Sequence, residues 1–183
     1  MSADQPANFP MRTRPTIRTL KASEWARYRD VRLRSLAESP NAFGSTLAAE
    51  QGRSEQAWAE RLSSAAVSGQ DCPLIAEQDC VVIGLLWAKV DACDDSSVHL
   101  FQMWVAPEYR GRGVGSMLLH EAVAWARRHN ARSVQLGVTC GDTSALRLYT
   151  RAGFKIVGAP EPLRPGSELL AQSMQLLLHE AAA

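Results

Sequence analysis

The chain has almost no net charge. Its 183 residues carry 20 Lys and Arg against 19 Asp and Glu, which gives a formal charge of +1. Proteins that bind nucleic acids or membrane surfaces in a general way need a marked excess of basic residues. We therefore expect neither nucleic acid nor membrane among its partners. The longest apolar run, Cys80 to Ala88, is also well short of the roughly 20 residues that a membrane-spanning helix needs.

Cysteine and histidine are scarce and scattered. The cysteines are Cys72, Cys80, Cys93 and Cys140, and the histidines are His99, His120, His129 and His179. No two cysteines form a C-x-x-C pair, and a zinc site needs clustered ligands, so no metal is expected. Residues 1–15 are polar, contain three prolines and lack the apolar stretch of a signal peptide. The sequence therefore predicts a cytoplasmic protein whose cysteines are reduced thiols in or near the core.

The overall composition of the chain is typical of a folded domain. Hydrophobic residues make up 46% of the chain and charged residues 21%, which excludes wholesale disorder. At this length we expect one domain over residues 16–183, preceded by a flexible leader over residues 1–15. The apolar runs predict the order β-α-α-β-β-β-α-β-α-β-β. This order indicates a single α/β (α+β) domain in which helices flank a mixed sheet.

Several elements have clear local signals. Ser23 is placed to cap a helix that ends before Pro40, and a second helix is expected from about Ser54 to Ala66. The best-defined helix runs from Val114 to His129, because one half of its helical wheel is apolar and the other half polar. The nearly continuous apolar run from Cys80 to Val90 predicts a strand that is covered on both faces.

A glycine-rich stretch lies between a predicted strand that ends at Val105 and the helix that starts near Val114. It reads Arg110-Gly111-Arg112-Gly113-Val114-Gly115-Ser116. Glycines at a strand-to-helix turn allow backbone angles that side chains forbid, and the first N–H groups of a helix attract an anion. A Walker loop would need a Lys here, and a dinucleotide fingerprint would need glycine at Ser116. The stretch is therefore a phosphate cradle of another kind, or a purely structural turn.

Two motifs together resemble the GNAT superfamily of acyl-CoA N-acyltransferases. The pyrophosphate loop of that family reads Q/R-x-x-G-x-G/A, which Arg110 to Gly115 match, and the lead-in from Val105 to Gly111 is also similar. Further along, the family has N-x-x-A-x-x-L-Y-x-x-x-G-F, and this chain has D-T-S-A-L-R-L-Y-T-R-A-G-F from Asp142 to Phe154. The resemblance spans about residues 16–178 and is densest over 97–155. Asp replaces the usual Asn at the first position of the second motif.

The resemblance implies a mostly antiparallel, twisted sheet in which strands Ser97–Val105 and Ser133–Thr139 splay apart. Acetyl-CoA, as co-substrate, would occupy the slot between them and give its acetyl group to an amine in a ternary complex. The residues implied to contact the coenzyme are Met103, Trp104, Val105, Arg110, Gly111, Arg112, Gly113, Val114, Gly115, Ser116, Asp142 and Ser144. Main-chain groups at Met103 and Val105 would hold the acetyl carbonyl and pantetheine arm, and N–H groups from Arg110 to Ser116 the pyrophosphate.

Two residues are candidates for proton transfer. Tyr149 lies where the family places the acid that protonates the departing CoA thiolate. An amine with a pKa near 10.4 is neutral at pH 7 only about one time in 2,500, a cost of about 4.6 kcal/mol, so a base or a desolvating pocket is needed. His99 falls where some relatives carry a glutamate base. No carboxylate occurs from Ser97 to Val105, so the base there is His99 or a water held by Gln102.

The amine acceptor is not specified by the sequence. A small-molecule acceptor is favoured, and the alternative acceptor is a protein N-terminus or lysine. Two alternatives to an enzyme are a non-catalytic acyl-CoA sensor and a different nucleotide-binding fold. Residues 43–45 lie in the loop that covers the acceptor site in this superfamily, and Arg164 is a candidate for binding an acceptor carboxylate. Asp91, Asp94 and Asp95 form a solvated turn or attract a cationic substrate. The resemblance leaves the choice between monomer and homodimer open.

Overall fold

Within residues 13–178, the computed structural model contains eight strands and five α-helices. The strands are β1 (Thr16–Thr19), β2 (Asp71–Gln78), β3 (Val81–Val90), β4 (Ser97–Val105), β5 (Ser133–Thr139), β6 (Lys155–Ile156), β7 (Glu161–Pro162) and β8 (Leu170–Leu177). The helices are α1 (Trp25–Glu38), α2 (Leu47–Gln51), α3 (Glu55–Ser68), α4 (Val114–Arg128) and α5 (Thr143–Arg151). Most of the expected leader, residues 1–12, and His179 lie outside the described residues.

The start of α1 differs from the prediction, and the reason is a charged side chain. Ser23 does not cap the helix, because Ala22–Glu24 forms a 3-10 turn and α1 begins only at Trp25. The carboxylate of Glu24 accepts a hydrogen bond from the Lys21 N–H at 2.8 Å and also binds the guanidinium of Arg18. The hydrogen bond to Glu24 thus holds a turn whose capping residue is Lys21, two residues before the predicted cap Ser23.

The sheet is mostly antiparallel, as predicted. Its strand order is β1-β2-β3-β4-β5-β8-β6, and β7 pairs with β8. The single parallel pair is β4 with β5 among the described strands, and α4 makes the crossover that a parallel pair requires. The parallel pair lies in the middle of the sheet, so the glycine-rich loop opens onto its centre.

Helices cover both faces of the sheet and create two cores. Leu86 on β3 and Leu118 on α4 belong to the first core, and Leu85 on β3 and Trp58 on α3 belong to the second. All four side chains are at most 1% exposed, and burying such a side chain contributes about 1.5–3 kcal/mol. Consecutive residues of β3 thus face opposite cores, which confirms the prediction of a strand that is covered on both sides.

The central strands separate halfway along their length. β4 pairs with β5 only through Ser97–Leu100, opposite Ser133–Leu136. Beyond Leu100 the strand bulges, because Gln102 and Met103 stand opposite one residue of β3 and Gln102 adopts a φ of +58°. The remaining part of β4 diverges from β5 and leaves a slot, so the predicted splay is confirmed.

Three of the four cysteines are not where the sequence suggested. Cys72 is buried on β2, but Cys80, Cys93 and Cys140 are exposed, so the expectation that the thiols lie in or near the core was wrong for these three. Each of the three lies outside the regular elements, next to a tight turn. Among residues 13–178, no helix has the length and apolar character needed to cross a membrane.

Candidate functional site

The glycine-rich loop takes backbone angles that only glycine adopts without strain. Gly111 and Gly113 have φ values of +74° and +82°, and Gly113 caps the start of α4. A Cβ atom at either position would meet no described atom within 4 Å, so the space above the loop is open. Gly115 has another role: a Cβ there would lie 3.2 Å from Leu148, so this glycine lets α5 pack against α4. The first N–H groups of α4 therefore face open space, as an anion site requires.

A cavity of about 1110 Å³ opens over the loop and ends at Tyr149. It is called the coenzyme cavity below. The predicted coenzyme contacts that line it are Met103, Trp104, Val105, Arg110, Gly111, Gly113, Val114, Gly115, Ser116, Asp142 and Ser144. The side chain of Arg112 does not join them, because its guanidinium lies over the ring of Tyr109, 5.4 Å from the centroid. Eleven of the twelve predicted coenzyme positions thus line one cavity, and their contacts with a coenzyme stay a prediction.

The rim of the coenzyme cavity is more basic than the motif indicates. Arg127 from α4 and Arg147 and Arg151 from α5 also line it. These residues were missed, although the spacing of four between Arg147 and Arg151 places them on one helical face. Their charges favour a polyanionic ligand at the open end of the cavity.

Glu38 connects the end of α1 to the loop. Its Oε2 accepts hydrogen bonds from Arg110 Nη2 at 2.6 Å and from Trp104 Nε1 at 2.9 Å. Burial by itself would raise the pKa of Glu38, but the hydrogen bonds from its neighbours, including Arg110, lower it overall. The indole of Trp104 is 4% exposed and belongs to the core beneath α1 and α3, so a contact of Trp104 with a coenzyme would involve its main chain.

Tyr149 lies on α5 at the inner end of the coenzyme cavity and is 6% exposed. Burial, with the nearby charge of Asp142 adding to it, raises the pKa of Tyr149 above its ordinary value. The phenol therefore stays protonated at neutral pH, as a proton donor must. Asp142 itself caps α5, since its Oδ1 accepts the N–H groups of Ser144 at 3.1 Å and Ala145 at 3.0 Å. The Asp that replaces the usual Asn thus keeps the capping function.

His99 lies on β4, opposite Lys89 on β3 and Gln135 on β5. Its Nε2 is 3.1 Å from Oδ2 of Asp91, at the end of β3. Backbone N–H groups of Cys93 and Asp94 lower the pKa of Asp91, and His99 adds to this effect. Asp91 is therefore an ionised partner for His99, a pairing that the sequence did not reveal.

A second cavity, of about 940 Å³, contains His99 and also reaches Tyr149. We call it the acceptor cavity. Phe43, Gly44 and Ser45 line it, as expected of the covering loop. The two cavities share Ala42, Phe43, Met103 and Tyr149. The slot therefore continues from the glycine loop to His99, with Tyr149 at the junction.

The covering loop is held by hydrogen bonds from the other side of the slot. Arg164 Nη1 donates to the carbonyl oxygen of Phe43 at 2.9 Å, and Thr139 Oγ1 donates to that of Asn41 at 2.9 Å. Arg164, a sequence candidate for binding a carboxylate, thus binds the main chain of the loop. Arg32 and Arg61 line the acceptor cavity instead, and nothing in the sequence set them apart from other helical arginines.

The family of the chain follows from comparison with known proteins. The model of the acetyltransferase (GNAT) family matches residues 32–154. This match covers more than half of the chain, and the chain therefore belongs to the GNAT family of acetyltransferases. Among residues 13–178, no group of three or more His, Cys, Asp or Glu side chains is arranged to hold a metal ion.

Individual relatives agree with this assignment. N-acetylaspartate synthetase from Rattus norvegicus is 32% identical over 90 residues, which are 49% of this chain and 30% of that protein. The curated relatives are matched over 27% to 53% of their own length.

Two solved structures show the same fold. An acetyltransferase of the GNAT family from Streptococcus pneumoniae has a TM-score of 0.77 at 23% identity, over 91% of this chain and all (100%) of that one. A protein from Salmonella typhimurium that is described as an acetyltransferase, solved with its cofactor acetyl-CoA, has a TM-score of 0.74 at 21% identity, over 92% and 96%.

Proposed function

We propose that this protein transfers the acetyl group of acetyl-CoA to a primary amine of a small molecule, by direct attack while both substrates are bound. The observation that carries the proposal is the junction at Tyr149 between the coenzyme cavity, which opens over the start of α4, and the acceptor cavity. A reaction between two bound substrates needs such a junction, because the reacting atoms must approach to about 3–3.5 Å. The relative from Salmonella typhimurium, solved with acetyl-CoA, supports the choice of coenzyme.

The coenzyme would lie along the separated part of β4. N–H groups at the start of α4 would bind its pyrophosphate, and Arg147 and Arg151 would approach its phosphates from α5. The main chain of Met103, which has no β5 partner, would hold the acetyl end. Because Gly111 and Gly113 leave the loop surface bare, a phosphate can contact the backbone directly.

Between heavy atoms, the reaction forms one bond and breaks one. An amine that arrives as an ammonium ion first releases its extra proton to solvent. The neutral nitrogen then bonds to the thioester carbonyl carbon and the C–S bond breaks, while one nitrogen proton passes to His99 and the phenol proton of Tyr149 passes to sulfur. Ordinary pKa values near 10 for a phenol and 8.5 for a thiol make the last transfer uphill by about 2 kcal/mol, and burial of Tyr149 adds to this cost. The proton therefore moves as the C–S bond breaks, when the charge on sulfur has developed. Solvent afterwards returns a proton to Tyr149 and accepts one from His99.

Asp91 would assist the base. In the proposed reaction His99 becomes positively charged when it accepts the amine proton, and the carboxylate 3.1 Å from its Nε2 stabilises that charge. This arrangement supports His99 itself as the base rather than a water held by Gln102, whose Oε1 accepts a hydrogen bond from Tyr28 at 3.0 Å.

The proposal is tested by measuring binding and turnover separately. Acetyl-CoA at a hundredfold excess over its dissociation constant should stabilise the fold by about 2.7 kcal/mol, whereas ATP and NAD should not. Release of free CoA thiol is then measured with a panel of small amines and with lysine-containing peptides. We expect release with a small amine. Binding of acetyl-CoA without release from any acceptor would refute the enzyme proposal and favour a sensor.

A cytoplasmic location and the oligomeric state, monomer or homodimer, stay predictions from the sequence. The oligomeric state is measurable by sedimentation at the concentration used for turnover. The slot is formed within one chain, so we expect turnover per chain to be independent of protein concentration.

A further inference from the structure

Arg32 on α1 is a buried cation without a counter-ion. It is 1% exposed, and within residues 13–178 its guanidinium donates only to hydroxyl oxygens, of Ser45 at 2.9 Å and of Ser35 at 3.4 Å. Among the described residues, no carboxylate oxygen lies within 4.0 Å of it, and its Nε has no hydrogen-bond partner. Buried arginines are nearly always paired with an anion, because an unpaired buried charge costs several kcal/mol.

The surroundings of Arg32 do not provide the missing charge. The carboxylate that acts on it, Glu50, is already bound to Arg53 at 2.7 Å and lies 3.7 Å from Arg61. Burial lowers the pKa of Arg32 to about 10, and the opposing influences of Tyr28 and Glu50 do not restore it. Because this value is well above 7, Arg32 remains charged at neutral pH. The fold thus keeps a positive charge at this position without neutralising it.

This charge lies on the wall of the acceptor cavity. Arg32 and its partner Ser45 both line the cavity. The guanidinium carbon of Arg32 lies over the ring of Phe43, 4.4 Å from the ring centroid. The wall also contains the side chains of Arg61, Lys89, Asp71 and His99. Asp71 accepts a hydrogen bond from Trp87 Nε1 at 2.7 Å and lies 3.7 Å from Lys89. Three cations therefore face one carboxylate, and that carboxylate already has partners.

We propose that Arg32 and Ser45 bind a carboxylate of the acceptor, so that the substrate is an amine that also carries a carboxylate, such as a free amino acid. The inference rests on the proposed function, because the amine of the same molecule must reach the junction at Tyr149. A guanidinium and a hydroxyl are a suitable donor set for a carboxylate, which accepts two parallel hydrogen bonds from arginine. The carboxylate supplies the counter-ion that the fold omits.

The test compares matched pairs of acceptors that differ only in the carboxylate. Common α-amino acids are measured against the amines that result from their decarboxylation, both for CoA release and for the melting temperature in the presence of CoA. Loss of one partner of a buried charge pair corresponds to a factor on the order of 100 or more. For the wild-type protein we therefore expect kcat/KM to be about 100-fold higher for the carboxylated member of a productive pair.

Substitutions separate substrate binding from a structural role of Arg32. Arg32→Met should lower kcat/KM for the amino acid by about 100-fold and leave the decarboxylated amine within a few-fold, so that the preference disappears. The control is Arg29→Met, one helical turn earlier, where the guanidinium lies 3.5 Å from both Asp30 and Glu55 and does not line the cavity. This control should keep the preference. If Arg32→Met does not fold, Ser45→Ala should reduce the same preference by about fivefold to tenfold.

Two results would overturn the inference while leaving acetyl transfer intact. One is a wild-type protein that acetylates both members of each pair equally well. The other is an Arg32→Met protein that loses activity toward both members in the same proportion, since this is the effect of a structural residue. If no amine supports CoA release, the proposed function fails, and the melting temperatures alone then test whether Arg32 and Ser45 bind a carboxylate. A carboxylated ligand must then still stabilise the wild-type protein and not Arg32→Met, and equal or absent shifts would refute the carboxylate site.

Discussion

The coenzyme cavity and the acceptor cavity are formed by different parts of the chain. The coenzyme cavity is formed largely by the continuous stretch 103–127, which includes most of α4, together with α5. The acceptor cavity collects side chains from α1, the loop over residues 42–45, α3, the central strands and the segment before β8. Main-chain recognition of a phosphate requires particular backbone angles at successive residues, so it produces a motif. Side-chain recognition from distant segments requires only proximity in the fold, so it produces none.

The largest effect should come from the residue at which the two cavities meet. Tyr149→Phe keeps the ring that packs near Phe154 and removes only the hydroxyl. Turnover should fall by about 10²–10⁴-fold if the phenol protonates CoA. The binding free energy of acetyl-CoA, measured by calorimetry, should change by no more than a typical hydrogen bond contributes, about 0.5–1.5 kcal/mol.

Tyr28→Phe is the matched control, because it removes another buried phenol hydroxyl, the one that donates to Gln102 at 3.0 Å. It should cost about 1 kcal/mol of stability and less than tenfold in turnover. A Tyr149→Phe protein that turns over like the wild type, when chemistry is rate-limiting, would make Tyr149 a packing residue.

Gly113→Val should disrupt the coenzyme cavity and leave the acceptor cavity intact. The residue has a φ of +82°, where a β-branched side chain is strained, and the side chain would project into the open space over the loop. Stabilisation by a hundredfold excess of acetyl-CoA, about 2.7 kcal/mol in the wild type, should disappear.

Gly69→Val separates the strain from the loss of binding. Gly69 ends α3 with a φ of +66° and lines neither cavity. Its replacement should lower the melting temperature but retain the shift with acetyl-CoA. An undiminished shift in folded Gly113→Val would remove the glycine loop from coenzyme binding.

The pH dependence of kcat/KM tests the acceptor cavity alone. If neutral His99 is the base, activity falls in acid, and His99→Gln should abolish this acidic limb. Asp91→Asn should lower kcat/KM by less than about tenfold, because the imidazolium that forms in the reaction loses an opposite charge 3.1 Å away at a partly exposed site. An acidic limb that persists unchanged in His99→Gln would make His99 structural.

The smallest effect is expected at the contact between Glu38 and Arg110, which connects α1 to the glycine-rich loop. Glu38→Gln removes the charge that Arg110 binds, at a partly exposed site, so the loss of stability at pH 7 should be about 0.5 kcal/mol. The pKa of Glu38 is lowered on folding, so its contribution is present above its unfolded pKa and is lost as the pH falls through the folded value. The difference in urea unfolding between the two proteins should therefore be present at pH 7 and should shrink as the pH is lowered toward 3.

The same contrast explains what the sequence could predict. The glycine loop, the start of α4 and the position of Tyr149 were predictable because local residue order determines them. The partner of His99, the bulge at Gln102 and the buried charge of Arg32 were not. Each depends on which residues of distant segments become neighbours, and a helical arginine of the core looks in the sequence like one at the surface.

The central claim is that both substrates occupy the joined cavities at the same time, and initial velocities test it most directly. CoA release is measured while acetyl-CoA and a productive amine are varied together. Direct attack in a ternary complex predicts double-reciprocal lines that intersect. Parallel lines, with an acetylated protein that forms in the absence of amine, would show that the acetyl group first passes to the protein and would contradict the account.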